Sequence, residues 1–138
     1  MPAKKVTINL APAGSLSATA TDMATNTFAF RFDSASRIAW ERALSEFFGY
    51  DDDYLDRYRE RIRAIVEQFG GRYLFIGGRF EVVEGEWHPT FPILIEFPSL
   101  ADAHRWYDSD EFRELKEVRL RALRSDAVFM EGLMDGFR

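Results

Sequence analysis

The sequence predicts an α+β domain of the ferredoxin-like type, with the chain order βαββαβ, an antiparallel sheet and helices on one face of that sheet. Three observations predict this class. Short segments alternate with a period of two residues, as strands do. Longer segments place apolar residues three and four positions apart, as amphipathic helices do. The chain has 138 residues, which is the size of one domain.

The composition excludes several classes of protein. The chain contains no cysteine, which excludes disulfides, thiolate catalysis and cysteine-ligated zinc, and which fits a reducing cytoplasm. Its 23 acidic residues outnumber 18 basic ones and give a net charge of −5, whereas a nucleic-acid surface needs a basic stripe. No apolar run approaches the ~20 residues of a membrane span. We therefore expect a cytoplasmic protein that binds neither nucleic acid nor membrane.

Two segments compete for the first strand. We predict that residues 1–25 form an N-terminal arm or an extra strand. Lys4–Leu10 has the pattern of a strand, and the residues after it are mostly small and polar. Thr27–Asp33 alternates more cleanly and places three phenylalanines on one face. We place the ferredoxin-like domain at residues 26–138, and Lys4–Leu10 is the rival of Thr27–Asp33 for its first strand.

Two helices are predicted next, the first of them an addition to the βαββαβ order. Asp33-Ser34 caps the first, over residues 35–48, which ends at Gly49. Its apolar positions are Ile38, Leu44, Phe47 and Phe48. Asp51-Asp52-Asp53 opens the second helix, since negative charge is favoured at a helix N-terminus. Its apolar stripe is formed by Tyr54, Tyr58, Ile62, Ile65, Val66 and Phe69, and Gly70-Gly71 ends it.

The middle of the chain predicts two strands and a long connection. Arg72–Ile76 is a strand in which Tyr73 and Phe75 alternate with Leu74 and Ile76. Gly77-Gly78 marks a bulge or bend, Phe80–Val83 continues extended, and a loop follows at Glu86–Pro89. Phe91–Phe97 is the next strand, and its continuous apolar run predicts burial on both faces.

The C-terminal part predicts two helices and a last strand. Ser99 and Asp102 form a capping pair for the first helix. A second cap at Ser109 starts the next helix, whose apolar stripe runs from Phe112 to Leu123. Ala127–Glu131 is the last strand, closed by Gly132.

The open face of the predicted sheet indicates a homodimer. Both faces of the strands carry large apolar groups, as in Ile93-Leu94-Ile95, where one set can face the helices and the other needs a different cover. We favour pairing of two copies through this open face over a monomer whose N-terminal arm covers the sheet.

From Gly70 onward the sequence resembles a known family. The pattern comprises Gly70-Gly71-Arg72-Tyr73-Leu74, Gly77-Gly78, Glu84-Gly85-Glu86-Trp87, Ile95-Glu96-Phe97-Pro98-Ser99, Trp106-Tyr107-Asp108-Ser109, Glu111-Phe112, Leu115-Lys116, Arg119 and Glu131-Gly132. It resembles the bacterial domain-of-unknown-function family thirteen-thirty, of the dimeric α+β barrel superfamily. The resemblance implies the ferredoxin-like fold and the dimer. Relatives in the superfamily include cofactor-free monooxygenases, haem-processing enzymes, lactone isomerases and stress proteins, so the resemblance implies no single activity.

Three residues, His88, Glu96 and Arg79, are candidates for catalysis. His88 lies in a loop, and an imidazole suits a general base near neutral pH, although loop packing against Trp87 also explains it. Glu96 stands within an apolar strand, where a carboxylate is costly unless it is paired or neutral. Pairing with Arg79 or Arg72 would satisfy it, and we favour this structural role over a catalytic carboxylate.

Aromatic and polar side chains form the candidate ligand site. Trp106 and Tyr107 could line a pocket between helix and sheet, although we favour a role as core anchors. Tyr73, Trp87 and Arg72 complete the candidate ligand-binding set. The two histidines are far apart in sequence and no carboxylate cluster joins them, so we expect neither a metal site nor a cofactor.

Two functions from different classes fit these residues. The first is a cofactor-free enzyme that binds a small organic acid or aromatic compound in a pocket between sheet and helices. The second is a non-catalytic binding or stress-associated dimer, in which the same residues only hold the structure together. The two differ in whether several polar groups converge on one concave space.

Overall fold

The computed structural model describes residues 26–133. The predicted arm at residues 1–25, including Lys4–Leu10, lies outside the described residues. The described elements, in chain order, are β1 (Asn26–Phe32), α1 (Arg37–Phe48), α2 (Tyr54–Gln68), β2 (Arg72–Ile76), β3 (Ile93–Phe97), α3 (Leu100–Tyr107), α4 (Asp110–Ala122) and β4 (Ser125–Met130). A short 3-10 turn at Ser34–Ser36 joins β1 to α1.

The four described strands form one antiparallel sheet in the order β2-β3-β1-β4. With its helices, this sheet confirms the predicted α+β class. Because directly paired residues of neighbouring strands point to the same face, the register divides the side chains into two sets. One row across the sheet is Tyr73, Ile95, Phe28 and Phe129, and the next row on the other face is Phe75, Leu94, Ala29 and Val128.

The helices cover the face that carries Phe28 and Ile95. Both side chains are at most 2% exposed and belong to a single core cluster with Val66, Trp106 and Leu115, which come from α2, α3 and α4. Trp106 stacks on Phe112 with ring centres 4.5 Å apart, and aromatic pairs of this kind add about 0.5–1.5 kcal/mol beyond the area that they bury. The core is therefore aromatic and lies on one side of the sheet.

Two of the predicted caps form, at α3 and α4. The Ser99 and Ser109 hydroxyls accept hydrogen bonds from the backbone N–H groups of Asp102 and Phe112, at 3.0 and 3.1 Å. The predicted cap of α1 is wrong: Asp33 caps the 3-10 turn, and α1 begins at Arg37 after Ser36, which makes no side-chain cap hydrogen bond. Gly70 follows α2 with a φ of +83°, and a Cβ at this position would lie 2.8 Å from Pro98 Cγ. Only glycine fits both the left-handed conformation and the close approach of Pro98.

The predicted alternation in β2 is wrong. The register shifts between Tyr73 and Phe75, so that Tyr73 pairs with Ile95 while Phe75 pairs with Leu94 on the other face. The irregularity lies at Leu74 within the strand, and it brings Ile76 back to the face of Tyr73.

Three further expectations need correction. Ile38 is 71% exposed and lies outside the buried face of α1, to which Leu44 belongs. The segment Phe80–Val83 does not pair with any described strand, and β3 begins at Ile93 because Phe91 has a φ of +47°, outside the extended region. Among residues 26–133, none of the helices is both long enough and apolar enough to cross a membrane.

Candidate functional site

A cavity of about 260 Å³ lies between α1, α2 and the helix-covered face of the sheet. Its inner wall is made of apolar core side chains from the sheet, α3 and α4: Phe28, Phe30, Ile95, Trp106, Phe112 and Leu115. Trp40 of α1 and Tyr58 of α2 form the opposite wall, with their rings edge to face and their centres 5.4 Å apart. The cavity is thus enclosed mainly by aromatic surface, as sites for small organic molecules usually are.

The charged residues of the cavity are mostly basic. Its lining contains Arg37, Arg59, Arg63 and Arg119, and one acid, Glu41. The first three arginines are exposed, whereas Arg119 is 5% exposed. The three exposed arginines therefore lie at the mouth of the cavity, on the side of α1 and α2. Arg119 lies at the inner end of the cavity. At the mouth, Arg37 Nε donates to Glu41 Oε2 at 2.9 Å.

Arg119 is a buried guanidinium with one nitrogen that has no hydrogen-bond partner. Its Nη1 donates to Ser125 Oγ at 3.0 Å, and its Cζ lies 5.1 Å from the centre of the Phe30 ring. Its Nη2 is buried and unpartnered. Leaving a buried charged group without a full set of partners costs several kcal/mol. Such a cost, beside a cavity, is typical of a binding site.

Two indole N–H groups in the cavity walls also lack partners. The Nε1 atoms of Trp40 and Trp106 are both buried and unpartnered, and both residues line the cavity. An indole nitrogen can only donate a hydrogen bond. Together with Arg119, these residues give the cavity walls three unsatisfied donors and no unsatisfied acceptor among the described side chains.

Burial raises the pKa of the two cavity tyrosines. Burial raises the pKa of Tyr58 to about 12, against the opposing positive charges of Arg119 and Arg59. The pKa of Tyr73 is also raised, first by burial and then by the neighbouring Tyr58, with Arg63 acting in the opposite direction. At neutral pH both hydroxyls therefore hold their protons and can donate hydrogen bonds.

Phe91 shapes one side of the cavity under backbone strain. It is the residue with φ of +47°, and its ring lies 4.5 Å from that of Phe32, centre to centre. A Cβ added at Gly77 would stand 2.6 Å from the Phe91 ring. The glycine thus makes room for the ring, and strained residues of this kind cluster at binding sites.

Comparison with known proteins assigns the chain to a family. The model of the family described as "Domain of unknown function (DUF1330)" matches residues 46–133. The chain belongs to the DUF1330 family. The match begins near the end of α1, so β1 and Trp40, which supply part of the cavity wall, lie before the matched region.

Solved structures similar to this DUF1330 protein include two of one protein. The first is the crystal structure of the RPA0582 protein of unknown function from Rhodopseudomonas palustris, with 14% identity, a TM-score of 0.48, and coverage of 80% of this chain and 83% of that one. The second is the methylated RPA0582 protein, with 16% identity, a TM-score of 0.48, and coverage of 81% and 83%. A search among curated proteins finds no match.

The cavity of the DUF1330 domain brings together two of the residues named from the sequence. Tyr73 and Trp106 both line it. Glu96 lies on the opposite face of the sheet, where Arg72 Nε donates to its Oε1 at 2.8 Å. Tyr107 packs on Phe28 and Phe129 and lies outside the cavity lining, with Lys116 Nζ 4.2 Å from its ring centre.

The other three candidates lie in the long connection between β2 and β3. His88 is exposed, and Trp87 is 75% exposed. Arg79 and Trp87 border a separate hollow of about 690 Å³, together with Phe80 and other side chains of the same connection. This hollow is larger than the cavity, but its lining residues are exposed or partly exposed and none is a buried polar residue, so the cavity is the better candidate site. Among residues 26–133, no three histidine or acidic side chains form a group that could hold a metal ion.

Three residues of the site went unrecognised in the sequence. Arg119 follows Phe112 by seven residues and Leu115 by four, which places it on the apolar stripe of α4. Trp40 precedes Leu44 by four residues and belongs to the buried side of α1. Tyr58 was assigned to the core stripe of α2 without a role for its hydroxyl. A charge on an apolar helix stripe is the signal that could have identified Arg119.

Proposed function

We propose that this DUF1330 protein binds a small organic acid or aromatic compound in the cavity between its helices and its sheet. One observation supports this proposal above the others: three residues that line an aromatic-walled cavity, Arg119, Trp40 and Trp106, each have a buried donor without a partner in the protein. Buried polar groups in proteins are almost always hydrogen-bonded, and a bound molecule would supply the missing partners.

The cavity volume favours a ligand of one or two rings. Sites for drug-sized ligands usually measure about 300–1,000 Å³, and this cavity of about 260 Å³ lies just below that range. Flat molecules would stack between the rings of the opposing walls, since offset aromatic contacts are favourable.

The chemistry of the lining favours binding without acid–base catalysis. A general base works best when its pKa is near the operating pH, and the tyrosine pKa of about 12 at Tyr58 is far above it. The acid in the lining, Glu41, is paired with Arg37 at the mouth. We therefore favour the non-catalytic binding protein over the cofactor-free enzyme.

We also propose that two copies pair through the open face of the sheet. The central row of that face is apolar, and its outer members Phe75 and Val128 are 46% and 52% exposed. Leu74 and Met130 are 40% and 45% exposed. Apolar patches of this kind on a soluble domain commonly mark an interface.

A matched pair of tryptophan substitutions tests the binding proposal. Ile62 lines the cavity, whereas Ile38 is 71% exposed on α1. We expect Ile62→Trp to fill the cavity and abolish the thermal shift produced by aromatic acids, while Ile38→Trp leaves that shift unchanged. Isothermal titration calorimetry with 1-naphthoate then gives the affinity. Absence of binding to the wild type across benzoates, naphthoates, lactones and neutral aromatics, or equal binding to the Ile62→Trp variant, would refute the proposal.

A further inference from the structure

We infer that Arg119 recognises an anionic ligand, so that the natural ligand is an aromatic carboxylate bound with its carboxylate at the inner end of the cavity. This inference rests on the proposed binding function and narrows it to one charge class. It separates carboxylates from the neutral aromatic compounds that the same walls could accept.

The geometry of Arg119 supports an anion as its missing partner. Nη1 of the guanidinium donates to Ser125, and Nη2 has no partner. Within the described part of the chain, none of the ion pairs involves Arg119. The guanidinium is the side chain best matched to the planar geometry of a carboxylate. Arg119 thus lines the cavity as a buried arginine whose Nη2 has no partner in the protein, which fits an anionic ligand.

The charge balance around the cavity points to the same class of ligand. The whole chain has 23 acidic and 18 basic residues, yet the cavity lining has four arginines and one glutamate. Arg37 is paired with Glu41 and Arg59 with Asp56, so Arg63 and Arg119 carry the excess positive charge. A local excess of positive charge in an acidic protein attracts anions to the cavity and disfavours cations.

The hydrogen-bonding groups of the walls also require an acceptor. The unpartnered indole N–H groups of Trp40 and Trp106 are donors, and Tyr58 holds its proton. A ligand amine would bring further donors to donors, whereas a carboxylate offers two oxygens with several lone pairs. The apolar inner wall then requires that the remainder of the ligand be apolar.

Matched ligands test the inference on the unmodified protein. 1-Naphthoate and 1-naphthamide have the same ring system and nearly the same shape, and they differ in charge. We expect calorimetry to show that the wild-type protein binds 1-naphthoate at least tenfold more tightly than 1-naphthamide. This comparison does not depend on whether any variant folds.

Variants of two arginines on the same helix assign the preference to one residue. Arg121 is exposed on α4 and does not line the cavity. We expect Arg119→Met to lose the preference for naphthoate while retaining naphthamide binding, Arg119→Lys to keep a reduced preference, and Arg121→Met to behave as wild type. Removal of an unpaired buried charge should also leave the melting temperature of the unliganded Arg119→Met variant unchanged or higher.

The outcomes distinguish this inference from the binding proposal. Equal affinities of the wild type for naphthoate and naphthamide would overturn the role of Arg119 and leave the binding proposal intact. A naphthoate preference that persists in Arg119→Met would likewise overturn it. Failure of both compounds to bind, together with failure of the wider set of aromatics, would overturn the binding proposal itself.

Discussion

Arg72 Nε lies 2.8 Å from Glu96 Oε1, on the face of the sheet opposite the cavity. The Glu96 side chain is 9% exposed and that of Arg72 is 67% exposed, so an exposed cation neutralises a buried anion. The pair explains how a carboxylate is tolerated within the apolar strand β3. It also means that the carboxylate with the clearest sequence signal already has a partner of its own, outside the cavity.

Loss of the cation from this pair should destabilise the protein. Because the Glu96 carboxylate would stay buried, we expect Arg72→Met to lower the free energy of unfolding by about 1–2 kcal/mol, less than for a fully buried pair because Arg72 is largely in solvent. Urea denaturation measures the change. The exposed Arg59–Asp56 pair is the control, and Arg59→Met should cost less than about 1 kcal/mol. Equal effects of the two variants would contradict the importance of Glu96 burial.

Two adjacent glycines should respond very differently to alanine. At Gly77 the φ is +59° and a Cβ would meet the Phe91 ring at 2.6 Å, whereas at Gly78 nothing lies within 4 Å. We expect Gly77→Ala to lower the free energy of unfolding by about 2 kcal/mol or more, since it combines a left-handed conformation with a steric clash. Gly78→Ala should change it by less than about 1 kcal/mol.

The same glycine variants bear on the cavity. Phe91 lines the cavity, so its displacement in Gly77→Ala should also weaken the binding of 1-naphthoate, as measured by calorimetry. A Gly77→Ala variant with unchanged stability and unchanged binding would show that the Gly77–Phe91 contact does not shape the site.

The sequence allowed the elements of the fold to be predicted because their signals are local. Helix α2 carries a long amphipathic stripe, and serines at the start of α3 and α4 act as the caps that their spacing predicts. The face of the sheet that each β2 side chain occupies could not be predicted in this way. One irregularity at Leu74 reverses the side chains that follow, and its position depends on pairing with β3, which is distant in sequence.

The candidate site was harder to predict because its residues come together only in the folded chain. Tyr73 and Trp106 were identified as aromatic residues near a predicted sheet, whereas Trp40 was not singled out and Arg119 entered only through the family pattern. His88 and Arg79 were chosen as candidate catalytic residues because of their residue types. The structure places both in the exposed connection between β2 and β3. Residue type indicates which chemistry is available, and burial decides which groups are left unpartnered.

The open sheet face gives a direct test of the proposed dimer. Size-exclusion chromatography with light scattering should give twice the chain mass for the wild type at micromolar concentration. We expect Val128→Glu to give a monomer, because it places a charge in the middle of the apolar row. Leu120→Glu, at a residue 56% exposed on α4, is the matched control and should remain dimeric. A wild type that is monomeric would rule out the dimer.

The raised pKa of Tyr58 makes a prediction for alkaline pH. Tyr58, with a pKa of about 12, keeps its proton in the folded state between pH 10 and 12, while the unfolded chain, with a pKa near 10, releases it. The unfolded state therefore binds fewer protons in this interval, so that stability is fully present below pH 10 and falls as the pH rises towards 12. Tyr73, whose pKa is also raised, acts in the same direction.

We expect Tyr58→Phe to flatten this dependence, because phenylalanine cannot ionise in either state. The measurement is the free energy of unfolding in urea at several values between pH 9 and pH 12, together with the tyrosinate absorbance of the folded protein. The control is Tyr50→Phe, at a tyrosine that is 75% exposed. This variant should leave the rise in tyrosinate absorbance at the highest pH unchanged. If Tyr58→Phe loses stability with the same slope as the wild type, the Tyr58 hydroxyl is not held in a water-poor wall of the cavity.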